Sequence, residues 1–409
     1  PDKNGYIITK LILNNPHSLK TDRITISNSK GSTIAEIFID KNIKVLDIAF
    51  RIKKKDYGEI YIKELHDLKI GFITTEEKLK STIFLKDDIL KSGRNLYFLQ
   101  NSFSRAVIDI EHGSVIKNIS TDDNAPFDFF SFYPLYGREG RVRLQNIELG
   151  LTGKDIPSAS GKKFKLKNLK KETPEFTFEK KGFKYLNTFS FIKDTPILKQ
   201  RLEIEYSKKK ELEGNMFFKS LLYYGKRRNS GEFLYNDLGK FVKLYYPNLE
   251  RFWNGLKYYK TLPIYYAFLN PGTKNIIIQF MKTDKAGEFV VNTEDDCMIL
   301  TGTGPSKKFK KGSKFNTELF TLMGKLIHFD DRMFILNKGF KKSSIIYFNF
   351  KRSNRNLPKV KFFQNGHEKR LKHINLFKGL QLSSVVFPTP DLRDKDTYLL
   401  IGKKKIQVG

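Results

Sequence analysis

The chain has 409 residues, with 75 Lys and Arg against 44 Asp and Glu, a formal net charge of +31. That excess argues against hydrophobic self-association and for polyanions: nucleic acid, an acidic glycan and an anionic lipid surface all match in sign, and a lineage of uniformly basic proteins would show the same balance. A single cysteine, Cys297, excludes an intrachain disulfide, and no stretch reaches the roughly 18 apolar residues of a membrane-spanning helix, so a soluble chain is expected.

Two or three domains are expected at this length. Because the chain starts at Pro1, an upstream signal peptide or upstream domain is expected to have been removed, with a lean to a secreted or extracytoplasmic protein. From Tyr6 to Leu65, YIITKLIL, DRITIS, IAEIFID, KVLDIAFRI and GEIYIKEL alternate with NNPHS, NSKGS, DKN and KKKDYG. Five short strands spaced by about ten residues predict a small N-terminal β-sandwich, assigned to 1–92. His17 falls in a turn, and His66 has no ligand partner at short spacing.

The run from Leu11 to Leu65 resembles the small sandwich of zinc-dependent retaining α-mannosidases, which opens with a hydrophobic strand entering Asn-Pro and a polar turn. It departs from that pattern in having Tyr57-Gly58 where the family has Gly-Tyr, and in lacking Trp-Pro after the opening turn. Next, Asn95 to Ser120 is similar to the strand, turn and strand that enter the galactose-mutarotase-like supersandwich. Val107, Ile108 and Ile110 ask for a sheet, and His112-Gly113 for a hairpin turn. The resemblance implies an all-β fold: antiparallel β-sandwich domains around a central supersandwich, assigned to 93–324.

The stretch 122–143, DDNAPFDFFSFYPLYGREGRVR, is the densest mixture of rings and charges. It reads either as an aromatic core strand with charges paired at its rim, or as a sugar-facing platform. In the second reading Tyr133 or Tyr136 offers a ring face, while Arg138 and Glu139 bond hydroxyls. Further along, Lys163, Lys165 and Lys167 alternate with Phe164 and Leu166, predicting an edge strand with a basic outer face. Those lysines either block edge-to-edge pairing or bind a polyanion.

Phe183 to Tyr224 resembles the long paired strands of the same supersandwich, with a turn at Asp194-Thr-Pro. Leu202, Ile204 and Tyr206 are expected on one face, and Arg201, Glu203 and Glu205 on the other. From Gly225 to Tyr246 a polar connection of loop or weakly helical character is expected. The segment Trp253 to Met323 organises the rest: Pro263–Leu269, Ile276–Met281, Phe289–Val291 and Met298–Leu300 read as short strands bounded by Gly, Pro, Asn or Asp. Cys297 is expected as a buried or half-buried thiol in a strand. IIYFNF, VKFF, LSSVVF and TYLLIG then predict a C-terminal β domain, 325–409. His328, His367 and His373 form no pair at zinc-ligand spacing, so neither a metal nor another cofactor is expected.

In the mannosidases the catalytic parts lie in an N-terminal α/β domain that these residues do not contain, and the Asn-His motif of the mutarotase-fold epimerases is missing, so neither activity transfers residue by residue. The expected function is a carbohydrate-associated β-sandwich protein: a glycan-binding module, or the non-catalytic β portion of a glycoside hydrolase with a separate catalytic chain or upstream domain. An enzyme, if it is one, would belong to a glycoside hydrolase or polysaccharide lyase. Asp122, Asp123, Tyr133, Tyr136, Arg138, Glu139, Glu250, Arg251, Trp253 and Tyr259 are the candidate glycan-binding positions. The alternative is an electrostatic binder of an acidic polysaccharide or nucleic acid, with Lys163, Lys165, Lys167, Lys308, Lys310 and Lys311 as candidates. A third, structural reading notes that the periplasmic domain of the membrane protein insertases shares the supersandwich.

Overall fold

The computed structural model describes residues 6–14, 23–28, 32–38, 42, 45–53, 59–62, 68–74, 81–85, 96–110, 113, 115–120, 143–159, 162–168, 173–223, 231–237, 240–246, 257–261, 265–269, 274–281, 286–293, 297–329, 332–339, 342–349, 360–377, 380–388 and 396–408. Among them every regular element is a β-strand. No helix there is long and apolar enough to cross a membrane.

The five expected N-terminal strands are β1 (Tyr6–Asn14), β2 (Arg23–Asn28), β3 (Thr33–Phe38), β4 (Val45–Lys53) and β5 (Glu59–Ile62), joined by β6 (Leu68–Thr74) and β7 (Ser81–Leu85). Then come β8 (Leu96–Gln100), β9 (Arg105–Asp109), β10 (Val115–Ser120) and β11 (Arg143–Thr152). Gly113, at φ 100°, turns β9 into β10. The edge strand β12 (Lys165–Asn168) precedes β13 (Glu175–Lys180), β14 (Phe183–Phe191), β15 (Leu198–Tyr206) and β16 (Leu212–Tyr223). Along β15 the alternation is as expected, with Leu202, Ile204 and Tyr206 buried and Arg201, Glu203 and Glu205 outside.

The connection expected from Gly225 to Tyr246 is instead an antiparallel hairpin, β17 (Gly231–Asp237) and β18 (Lys240–Tyr246). A neighbouring strand overrides the polar composition: β17 is held along its other side by β20 (Tyr265–Leu269), which follows β19 (Lys257–Thr261). Next are β21 (Asn275–Met281), β22 (Ala286–Thr293), β23 (Cys297–Phe309) and β24 (Lys314–Phe329). The C-terminal strands are β25 (Arg332–Lys338), β26 (Lys342–Asn349), β27 (Val360–Gln364), β28 (His367–Lys369), β29 (Lys372–Phe377), β30 (Leu380–Pro388), β31 (Tyr398–Ile401) and β32 (Lys404–Gln407).

A twelve-stranded sheet runs β19-β22-β23-β16-β11-β10-β9-β8-β6-β5-β2-β3, and faces a thirteen-stranded one whose main path is β12-β13-β14-β15-β24-β21-β20-β17-β18. Pairing is antiparallel except between β1 and β7 and between β6 and β8. Between these sheets lies the main core, where Leu149, Met216, Phe218, Phe289 and Leu300 meet Tyr185, Phe189, Leu202, Tyr266 and Leu319. Each such buried side chain contributes roughly 1.5–3 kcal/mol of apolar transfer.

β24 continues past this core and pairs with β25, which leads through β26 and β30 to β29. Gly324 permits the fold-over, because a Cβ there would lie 2.7 Å from the Leu336 carbonyl oxygen. Met333, Ile335, Ile346 and Phe348 then cover the outer face of β20, β21 and β24. Ile276, Ile277 and Ile278 are consequently all buried, alternately facing two cores, which is why β21 reads as an unbroken apolar run. A four-stranded sheet, β28-β27-β31-β32, adds a fourth layer through Phe362, Leu399 and Ile401.

Candidate functional site

The groove that carries the site begins with an irregularity in β23. Against β16, Asn215 pairs with Ser306 and Phe217 with Thr303, so Gly304 and Pro305 together oppose Met216. This is a β-bulge, and it suits Pro305, which has no N–H to give to a ladder. Asn215 Nδ2 pins it by donating to the Gly304 carbonyl at 2.9 Å. Pairing with β22 reaches Thr303 but no further, so β23 leaves that side of the sheet unpaired from Gly304 onward among the described residues. The sequence reading ended this strand at Leu300. The strand continues through Gly302 because the Phe218 ring lies directly over it, and any Cβ there would collide with the ring.

Across the gap stands β24, placing Phe315, Thr317 and Leu319 toward the bulge. The space is about 190 Å³, lined by Met216, Phe218 and Phe315 with Lys307 and Thr317. Lys307 Nζ lies 4.4 Å from the centre of the Phe315 ring, a cation–π contact at the rim. Asn316 and Glu318 turn to the other face of β24, where the Glu318 carboxylate accepts from Lys199 Nζ at 2.7 Å. What the groove offers is a floor of rings and aliphatic side chains with hydroxyl and ammonium groups, Thr317 and Lys307, at its edge.

Behind the groove a buried polar cluster joins the two sheets. Ser220 Oγ donates to Gln279 Oε1 at 2.8 Å, Gln279 Nε2 donates to Thr321 Oγ1 at 3.0 Å, and the Tyr266 hydroxyl donates to Gln279 Oε1. Burial pushes the Tyr266 phenol far above its ordinary range, against a smaller opposing effect of Ser220, so it stays a neutral donor. This cluster positions β16 against β20, β21 and β24.

Of the sequence candidates, Asp122, Asp123, Tyr133, Tyr136, Arg138, Glu139, Glu250, Arg251 and Trp253 lie outside the described residues, as do His17, His66 and His112. Tyr259 sits in β19, its backbone opposite Phe289. Cys297 opens β23, opposite Tyr223. Lys163 and Lys165 are exposed while Phe164 is buried, and Lys167 is ion-paired with Glu175 at 3.6 Å. Lys308, Lys310 and Lys311 are exposed at the end of β23 and in the following turn, beside the groove. Sequence reasoning does not single out Phe218, Phe315, Gly302 or Pro305. The visible signal was Gly302-Thr-Gly-Pro305, two glycines and a proline following an apolar strand, which reads as a turn until the pairing on both sides is known.

No protein-family description and no curated protein matches this chain. Among solved structures, a galactose mutarotase-like protein from Lactobacillus casei is 8% identical, with 56% of this chain and 100% of that chain covered and a TM-score of 0.42. A galactose mutarotase related enzyme from Lactobacillus acidophilus is 9% identical over 56% of this chain and 97% of that one, with a TM-score of 0.40. The GH36 alpha-galactosidase AgaA from Geobacillus stearothermophilus is 9% identical over 56% of this chain and 41% of that chain, with a TM-score of 0.36. At these values the similarity carries neither an architecture nor an activity nor a substrate; the strands and sheets themselves define the class. The class defined is an all-β protein of stacked antiparallel sheets.

Proposed function

We propose that the protein binds carbohydrate in the groove between β23 and β24, as a glycan-binding module or as the non-catalytic β portion of a glycoside hydrolase. The observation that carries this is the pairing of ring-bearing walls, Phe218 and Phe315, with the polar rim of Lys307 and Thr317 around about 190 Å³. A pyranose has apolar C–H faces and an equatorial belt of hydroxyls, which such a slot meets with rings and hydrogen-bonding groups respectively.

Titration calorimetry against a panel of neutral and acidic oligosaccharides tests the reading. Binding by the unaltered chain is expected, with Phe315→Ala weakening it roughly tenfold, the equivalent of about 1.4 kcal/mol. No binding across the panel, or equal affinity in the variant, would remove the proposal.

A further inference from the structure

Three lysine-bearing turns come together at one end of the two large sheets, beside the groove. They are the β13–β14 turn with Lys180 and Lys181, the β15–β16 crossover with Lys208, Lys209 and Lys210, and the β23–β24 crossover with Lys310, Lys311 and Lys314. The last two each carry the chain from one sheet to the other. Backbone bonds tie them: Ser207 N donates to the Gly182 carbonyl at 3.0 Å, Gly312 N to the Tyr206 carbonyl at 2.8 Å, and Tyr206 N to the Ser313 carbonyl at 3.0 Å. The Tyr206 hydroxyl adds a bond to the Lys210 carbonyl at 2.7 Å.

Antiparallel pairing of β12 with β13 brings Lys162 and Lys163 toward the same end, since Lys165 stands opposite Thr177. Across 154–155, 162–165, 179–184, 205–213 and 307–314 there are fifteen lysines, five carboxylates and no arginine. Three of those carboxylates are ion-paired, Asp155 with Lys210, Glu179 with Lys184 and Glu205 with Lys314, and a fourth, Glu213, accepts from Ser306 Oγ. Lys208, Lys209, Lys310 and Lys311 are exposed and enter no ion pair among the described residues. Holding so many like charges together is unfavourable in the absence of an anion.

We infer that this end is the docking surface for an acidic polysaccharide, whose carboxylates meet the lysine turns while one sugar unit enters the adjoining groove. The sugar part rests on the groove reading above; the charge part rests on the turns alone. An all-lysine surface supplies point charges without the planar fork that reads bases or clamps phosphate bidentately, which disfavours nucleic acid. The exposed large apolar residues of the described chain, Phe38 and Val386, lie outside these turns, so this end presents no such wedge for a lipid surface.

The test uses the full chain and polygalacturonate, with dextran, duplex DNA and phosphatidylglycerol vesicles as comparators. Combining Lys181→Ala, Lys208→Ala, Lys209→Ala, Lys310→Ala and Lys311→Ala is expected to weaken polygalacturonate binding at least about tenfold and to flatten its salt dependence. The same loss of charge elsewhere, Lys325→Ala, Lys338→Ala, Lys369→Ala, Arg370→Ala and Lys403→Ala, is expected to leave affinity within about twofold. Equal weakening in both variants, an unaffected turn variant, or tighter binding of DNA or vesicles than of polygalacturonate would each overturn the inference. Failure of the groove reading shows separately, as neutral oligosaccharide binding that Phe315→Ala does not change.

Discussion

At the scale of single residues, Gly302 and Asp194 make the sharpest demands. Gly302 lets the Phe218 ring cross β23, so Gly302→Ala must push that ring into the groove. A cost of about 1–3 kcal/mol is expected, read as a lower urea midpoint, together with weaker glycan binding. Asp194 occupies the β14–β15 turn at φ 59° and accepts from Lys372 Nζ at 2.9 Å. That hydrogen bond outweighs partial burial and holds its carboxyl below the ordinary range. A pKa lowered by folding means that the stabilisation is complete above the unfolded value of about 3.9 and disappears as pH falls through the folded one. Asp194→Asn is therefore expected to lose stability at neutral pH and match the unaltered chain in strong acid, when urea midpoints are followed against pH. Because both side chains are about half exposed, the difference should stay under about 1 kcal/mol.

Between elements, the decisive contact is the hydroxyl and amide cluster of Ser220, Tyr266, Gln279 and Thr321. Ser220 and Gln279 are fully buried, so each polar atom that loses its partner bears the full desolvation cost. Ser220→Ala is expected to destabilise by about 1–3 kcal/mol, measured by denaturant titration, whereas truncating an exposed serine such as Ser306 should change little. The alternation of β15 was legible from its sequence because one face meets the core and the other meets solvent. β21 hid its orientation because layers cover both faces, and the β17–β18 hairpin was not recognised because β20, remote in sequence, stabilises it.

For the molecule as a whole, β24 is the shared member. It pairs with β15 and β21 inside the main core and with β25 beyond it, so a domain boundary proposed at 324/325 falls within one strand. Phe348 on β26 packs on Phe280 of β21 with ring centres 4.6 Å apart. Phe348→Ala is expected to cost about 3–5 kcal/mol. Hydrogen exchange should show protection falling together at Ile276–Phe280 and in the C-terminal strands; loss confined to residues after 325 would make the outer layers an independent unit.

Local chemistry was enough to establish the class of this protein: period-two alternation, Gly and Asn turns and the absence of helical spacing specify strands whatever their partners, and the +31 charge needs no fold to be counted. It also marked Lys308, Lys310 and Lys311. The groove, by contrast, depends on which strands oppose each other. A bulge exists only relative to the partner strand, and the lysines of three turns become one surface only when two sheets stack and their crossovers meet at the same end. Those relations join residues from tens to more than a hundred positions apart, a range over which neither strand propensity nor turn chemistry acts.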